Sequence, residues 1–194
     1  MAAKTVQELK KKKKKWIQIL SSSEFNNQEI GETYVDEAES CIGRSIELNL
    51  MMLTKDPRKQ NFNVKFKITE AKNNQLHTEL VAYSLQVAQL KRLTKKGKNK
   101  VEDSFSYNTK DNIKIAIKPI LLTKALTYKT TLSQLRMLSR EFLQDYVKNN
   151  DYSQVMKDVI SGKLQKDLKI NSKKVSPVVN CIIKSANRLN SKRF

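Results

Sequence analysis

From Ser45 onward, hydrophobic and polar residues alternate with a period of two: Ile46, Leu48 and Leu50 interleave with Glu47, Asn49 and Met51. The same alternation runs through Phe62, Val64, Phe66 and Ile68, with Asn63, Lys65 and Lys67 between them. Successive side chains of an extended backbone point to opposite faces, so each stretch predicts a half-buried strand. Gln75 to Ser84 predicts a third, less regular strand and Phe105 to Thr109 a fourth. Ile113, Ile115 and Ile117, interleaved with Lys114, Ala116 and Lys118, predict a fifth, and Val178 to Ile183, after Pro177, a last one. Turn-forming residues separate them at Lys55-Asp56-Pro57, Lys72-Asn73-Asn74 and Lys110-Asp111-Asn112.

Elsewhere the spacing is helical. Ser84 is placed to cap a short helix with Val87, Leu90 and Leu93 on one face, and Gly97 to stop it. The strongest helix is predicted from Thr131 to Val147, where Thr131 and Gln134 have capping-box spacing and Leu135, Leu138, Phe142 and Tyr146 form an apolar stripe. A further amphipathic piece carries Val155, Met156, Val159 and Ile160, and Gly162 breaks or bends it before Leu164 and Leu168. Strands with one apolar face favour closure, which removes exposed edges. The expected fold class is therefore α+β: a curled antiparallel β-barrel-like sheet flanked by helices, with a basic N-terminal tail. A tail over 1–20, one domain over 21–188 and a basic C-terminal tail over 189–194 is the expected organisation. With 194 residues, one domain can bury an adequate core.

Charge changes the picture most. The formal net charge is +19, and charged residues make up 29% of the chain, against roughly 25% in an average globular protein. Self-repulsion on that scale opposes compaction unless a polyanion supplies counter-charge. The distribution is uneven: residues 4–15 carry seven lysines against Glu8, whereas residues 24–47 carry seven acids against Arg44. Basic surplus returns at 55–72, 91–100 and 163–194. The acidic stretch is expected to face protein or solvent, away from the polyanion, or to neutralise basic neighbours within the fold. No apolar run approaches the roughly 20 residues needed to cross a bilayer, and Trp16 to Leu20 is too short for a secretory signal.

Little here suits catalysis. Gly31, Gly43, Gly97 and Gly162 have no phosphate-loop or dinucleotide spacing. Cys41, Cys181 and His77 cannot complete a four-ligand zinc site without carboxylates, and two lone cysteines fit a reducing, cytoplasmic compartment. His77 and Glu79 share a strand face, the nearest approach to an acid–base pair, but a structural histidine, or one bonding a phosphate or ribose, is the simpler reading. No cofactor or metal is expected.

Nucleic-acid binding has broader support. Lysines recur on the polar faces of predicted strands, at Lys65 and Lys67 and at Lys114 and Lys118. The basic helix and its loop add Lys91, Arg92, Lys95, Lys96, Lys98 and Lys100, and the long helix adds Arg136 and Arg140. Near the N-terminus, Lys10, Lys11, Lys12, Lys13, Lys14 and Lys15 precede Trp16: a run able to thread between phosphates beside a ring that stacks on a base or plugs into the domain's own surface. Lys192-Arg193 extends the charge at the other end. No helix-turn-helix, zinc finger, basic zipper or RNP1-like string names a groove-reading module, so a shape-and-backbone reader remains, and dispersed patches suit folded RNA better than a straight duplex. An architectural DNA-binding protein, and an RNA-modifying enzyme using His77 and Glu79, are the rival readings. For the lysine run alone, nuclear targeting or an anionic membrane are the alternatives.

Several strings occur in an order that resembles one family: "KKKKW" at Lys12 to Trp16, "IGET" at Ile30 to Thr33, "IGR" with "SIELNL" at Ile42 to Leu50, and "HTEL" at His77 to Leu80. "KDNIKIAIKP" with "LLT" at Lys110 to Thr123, "SQLR" at Ser133 to Arg136 and "SGKL" at Ser161 to Leu164 continue it. The set resembles the small-subunit ribosomal proteins of the S-three-A-e, or e-S-one, family, over about residues 11 to 185, and this chain looks closer to the shorter archaeal members than to the eukaryotic ones. The resemblance implies a barrel-like domain on the platform of the small subunit near the messenger-RNA exit, holding small-subunit rRNA and neighbouring ribosomal proteins. Messenger RNA and initiation factors are further partners it implies; no membrane, homo-oligomer, cofactor or catalytic residue comes with it. The chain departs from the family pattern at "KKGKNK", where arginines are usual, and at Ser176-Pro177, where Tyr-Pro is common. Lysine lacks arginine's bidentate fork.

Overall fold

A computed structural model describes residues 13–73 and 75–189. Lys10, Lys11 and Lys12 of the basic run, Asn74 of one predicted turn, and Lys192-Arg193 lie outside the described residues. The chain divides into two compact units, Met1–Ser45 with Lys67–Glu79, and Ile46–Phe66 with Leu80–Phe194.

In the first unit, β1 (Lys15–Leu20) pairs antiparallel with β2 (Glu29–Val35), from Lys15 opposite Val35 to Ile19 opposite Gly31, with a bulge before Leu20. The N-terminal residues of β5 (Gln75–Leu85) join β1 in parallel, Gln18 opposite Gln75 and Leu20 opposite His77. Sequence reading puts Lys15 to Leu20 in the basic tail, because only Ile17 and Ile19 alternate there. Those two side chains are nonetheless buried, while Lys15, Trp16 and Gln18 face solvent. Ile68, Leu76, Val35, Phe25 and Cys41 complete this small core. The Thr78 hydroxyl donates to the Leu20 carbonyl at 2.8 Å, and Gly43 and Ile68 exchange bonds with Ile68 and Arg44 at 2.9 Å each.

The second unit is built on β8 (Lys114–Thr123) and β9 (Val178–Arg188), antiparallel from Ile115 opposite Arg188 to Thr123 opposite Val178. β6 (Lys100–Glu102) and β7 (Phe105–Asn108) pair with β8, and Ala82 to Ser84 of β5 with β9. Pairing also links β3 (Ser45–Asn49) to β4 (Phe62–Lys72), and β4 to β5. The backbone path β2-β1-β5-β9-β8-β6 is open at its ends among the described residues. The sheet is thus mixed, because β1 and β5 are parallel, and the architecture observed is sheet plus helices without the closure expected of a barrel.

Helices cover this unit's strands. α3 (Lys129–Asn149), α4 (Tyr152–Ser161) and α5 (Lys163–Ser172) follow one another. Gly162 separates the last two in a left-handed conformation, φ +82°, where a side chain would be strained. Leu135 of α3 and Leu168 of α5 bury themselves with Val101, Leu121, Val178 and Cys181. The Tyr152 hydroxyl donates to the Leu80 carbonyl at 2.9 Å, and its backbone N–H to Asp111 at 3.1 Å, fixing the start of α4.

Three helix expectations are corrected. α3 begins at Lys129 after Tyr128, two residues before the Thr131–Gln134 box, and no side chain caps it. Its buried line is Leu135, Ser139, Leu143 and Val147, with Leu138, Phe142 and Tyr146 half-buried beside it. Ser84 does not cap α2 (Val87–Leu93): Gln86 stands there, because β5 keeps Ser84 in its pairing with β9, and Gly97 lies in a later turn. Finally, Leu50 opens α1 (Leu50–Thr54) instead of continuing β3, since the Asn49 side chain accepts the Met51 N–H at 2.9 Å.

Candidate nucleic-acid interface

In the first unit, Lys13, Lys14, Lys15 and Trp16 are exposed at the start of β1. The β1–β2 register sets Trp16 opposite Tyr34, and their rings lie 5.1 Å apart. The Lys14 ammonium stands 6.0 Å from the centre of the Tyr34 ring. Trp16 is 64% exposed, so it forms an outward aromatic pair and does not plug into the core. Tyr34 had no sequence signal beyond its aromaticity; only the register reveals it. Lys67 of β4 is half-buried. Of the acids at 24–47, Glu29, Glu32, Asp36, Glu37 and Glu39 are exposed on β2 and the turn after it. Asp36 and Glu37 line a hollow of about 510 Å³ with Lys14 and Arg44, so acid and base meet within this unit.

In the second unit, Lys65 is exposed on β4, between buried Val64 and Phe66, as the alternation predicts. Lys114 is exposed and Lys118 half-buried on β8. The helix α2 and its loop bring most charge together: Lys91, Arg92, Lys95 and Lys96 are exposed, and Lys98 is half-buried. Arg92, Lys95 and Lys98 surround one recess with Gln89, Leu93 and Asn180. The loop cations have no carboxylate within ion-pair distance among the described residues.

Two of the remaining candidates, Lys100 and Arg136, are paired with carboxylates. Lys100 donates to Glu102 at 2.7 Å, and Lys184 approaches the other oxygen of the same carboxylate at 2.5 Å. Lys100, then Lys184, hold the Glu102 carboxyl below the usual carboxylate range. Arg136 pairs with Asp103 at 3.3 Å. Arg140 is exposed, and its backbone carbonyl accepts the Tyr107 hydroxyl at 2.9 Å. Burial pushes the Tyr107 phenol up to about 12, against the opposing effect of Arg140.

Sequence reasoning missed Arg58, Lys166 and Lys169, which line a cleft of about 340 Å³ with Phe62 and Cys181. The i, i+3 spacing of Lys166 and Lys169, beside the buried Leu164 and Leu168, was the available signal. Burial pushes the Cys181 thiol up to about 12, so it stays protonated despite Lys169 nearby. His77 is half-buried on β5, and its carbonyl accepts from Thr69.

The model of the Ribosomal S3Ae family matches residues 2–191. The chain belongs to this family. Over 166 residues it is 29% identical to the small ribosomal subunit protein eS1 of Nanoarchaeum equitans, covering 86% of this chain and 84% of that protein. It is 26% identical over 168 residues to the protein of the same name from Halorubrum lacusprofundi, covering 87% and 78%. The Archaeoglobus fulgidus protein of that name is 26% identical over 167 residues, covering 85% and 79%. Membership of the S3Ae family agrees with the resemblance carried by the short strings and with the excess of unpaired cations.

Proposed function

We propose that this chain is a non-enzymatic structural constituent of the small ribosomal subunit, acting in the cytoplasm during translation by binding and stiffening rRNA beside neighbouring ribosomal proteins. The match to the S3Ae family along nearly the whole chain carries the reading, and relatives bearing one ribosomal name support it. In this reading, the acid-free cations of the α2 loop meet phosphates, Lys10 to Lys15 thread between them, and Trp16 with Tyr34 offers a stacking platform. The paired cations Lys100 and Arg136 are held in position by their carboxylates and exchange them for phosphate on binding. A finer placement belongs to the same reading: a seat on the platform near the messenger-RNA exit, within reach of messenger RNA and initiation factors, which the family match supports. So does one RNA-binding domain preceded by the basic stretch before β1 and followed by the basic residues at 189–194.

Sedimentation tests it. The full chain, mixed with small subunits or small-subunit rRNA at low salt, is expected to co-sediment, and excess duplex DNA is expected to compete poorly. A chain that stays in the free-protein fraction overturns the proposal. Equal competition by duplex DNA turns it toward an architectural DNA-binding protein.

A further inference from the structure

We propose that the cleft bounded by α2, α5 and β9 in the second unit holds one unpaired nucleotide of an RNA strand, base inward and phosphates at the rim. The proposal rests on the RNA-binding reading above and adds to it a place where RNA is gripped by a base as well as by its backbone.

The cleft's volume, about 340 Å³, falls in the roughly 300–1,000 Å³ range of small-molecule sites. Phe62, Leu85, Leu93 and Ile182 give it an apolar part of its lining. Phe62 is braced from behind, because its ring stacks on that of buried Tyr83 with centres 5.4 Å apart and planes 20° from parallel. A braced ring loses little freedom when a base stacks on it; such stacking contributes about 1–3 kcal/mol per base.

Amides complete the lining. Asn61, Gln89, Gln165 and Asn180 line the cleft, and each carboxamide presents a donor and an acceptor, the pairing that matches a base edge. Gln89 and Gln165 each keep a buried side-chain oxygen without a hydrogen-bond partner among the described residues. The Gln165 amide nitrogen donates to the Val159 carbonyl at 2.9 Å, which leaves its oxygen as the unmet half. Buried polar atoms are normally satisfied, so two unmet amides in one cleft call for a polar occupant.

Cations supply the rim. Arg58 and Lys166 line the cleft itself, and Lys169 is fixed by donating to the Val179 carbonyl. The recess described above shares Gln89, Leu93 and Asn180 with the cleft and continues it past Arg92, Lys95 and Lys98. No carboxylate of the described residues lines either hollow. One phosphate does not need so long a row of cations; a strand running out of the cleft does.

The test uses the full chain and fluorescence anisotropy at 0.1 M salt. The probes are a labelled eight-nucleotide single-stranded RNA and the same ribose-phosphate strand made abasic throughout, with small-subunit rRNA measured in parallel. The base-bearing strand is expected to bind at least tenfold more tightly than the abasic one. Gln89→Trp, which fills the cleft and leaves every cation in place, is expected to reduce that ratio below twofold. Equal binding of the two strands by the wild type needs no variant to fold and overturns the cleft proposal, while rRNA binding in the parallel arm keeps the broader reading standing. Loss of rRNA binding in that arm overturns both. Adenosine monophosphate that displaces the strand at matching concentration assigns the cleft to a free nucleotide and overturns the proposal for RNA.

Discussion

Arg92 and Lys95 of α2 and its loop stand in solvent with no carboxylate within ion-pair distance among the described residues, whereas Lys100, Lys184 and Arg136 are closed on the carboxylates of Glu102 and Asp103. Both groups belong to the same unit, and the first of the paired lysines follows the loop directly in sequence. A count of lysines treats them alike. The difference lies in the neighbours: β6 pairs with β8, Lys100 opposite Leu122 and Glu102 opposite Ile120, while β9 on the other side of β8 carries Lys184. The sheet thus supplies Glu102 with two cations, whereas the α2 loop forms no ion pair among the described residues. Basic sequence becomes a polyanion surface only where folding leaves it unneutralised.

The largest expected effect comes from removing the unpaired group. Arg92, Lys95 and Lys98 changed together to glutamine are expected to lower affinity for small-subunit rRNA about a hundredfold at 0.1 M salt. The plot of log affinity against log salt should flatten by about 2 to 3, one increment for each phosphate no longer neutralised. The matched triple Lys100, Lys184 and Arg136 to glutamine should cost less than tenfold, because each loses an internal partner as well. Filter binding across a salt series measures both. Equal losses for the two triples would erase the distinction.

A smaller effect of opposite sign is expected at the shared carboxylate. Glu102→Gln releases Lys100 and Lys184 together, and rRNA affinity should rise a few-fold with a steeper salt dependence. Stability should respond in a defined pH window. Because Lys100 and then Lys184 hold the folded carboxyl below its ordinary value, its contribution is complete above the unfolded pKa of about 4.3 and disappears as pH falls through the lower folded value. Melting temperatures of wild type and Glu102→Gln should therefore differ most above about pH 5 and converge in acid. A constant gap down to pH 3 would mean that the ion pairs contribute nothing to the difference.

The same contrast explains what was legible in the chain. β4, β5, β7, β8 and β9 announced themselves because alternate residues such as Val64, Phe66 and Ile68 are buried on one face. β1 escaped because its inward positions are only Ile17 and Ile19, behind a run of lysines, and its place depends on long-range pairing with Gln75 to His77. α1 escaped because Asn49 looks like another outward strand residue until its side chain caps a helix. The α3 stripe was displaced by one position, since Ser139 hides on the buried line by donating to the Leu135 carbonyl at 2.7 Å. The loop cations were readable from composition. Arg58 and Lys166 were not, because the cleft joins residues of β4, β5, β9, α2 and α5 that lie far apart in sequence, and the internal carboxylates of Lys100 and Arg136 were hidden for the same reason.

The smallest effect decides where Arg136 belongs. Its guanidinium reaches Asp103 through one nitrogen at 3.3 Å, and its side chain is 54% exposed. A single, solvated contact of this kind is worth roughly 0.2–1 kcal/mol, less in salt. A double-mutant cycle with Arg136→Gln and Asp103→Asn, read from urea midpoints, should return a coupling in that range that fades at 0.5 M salt, with rRNA affinity falling less than threefold for Arg136→Gln. A tenfold loss of affinity beside negligible coupling would move Arg136 into the unpaired group, since its charge would then be serving the polyanion and not the carboxylate. Coupling well above 1 kcal/mol would instead make it a fastening between α3 and the residues after β6, one that RNA cannot recruit without loosening the fold.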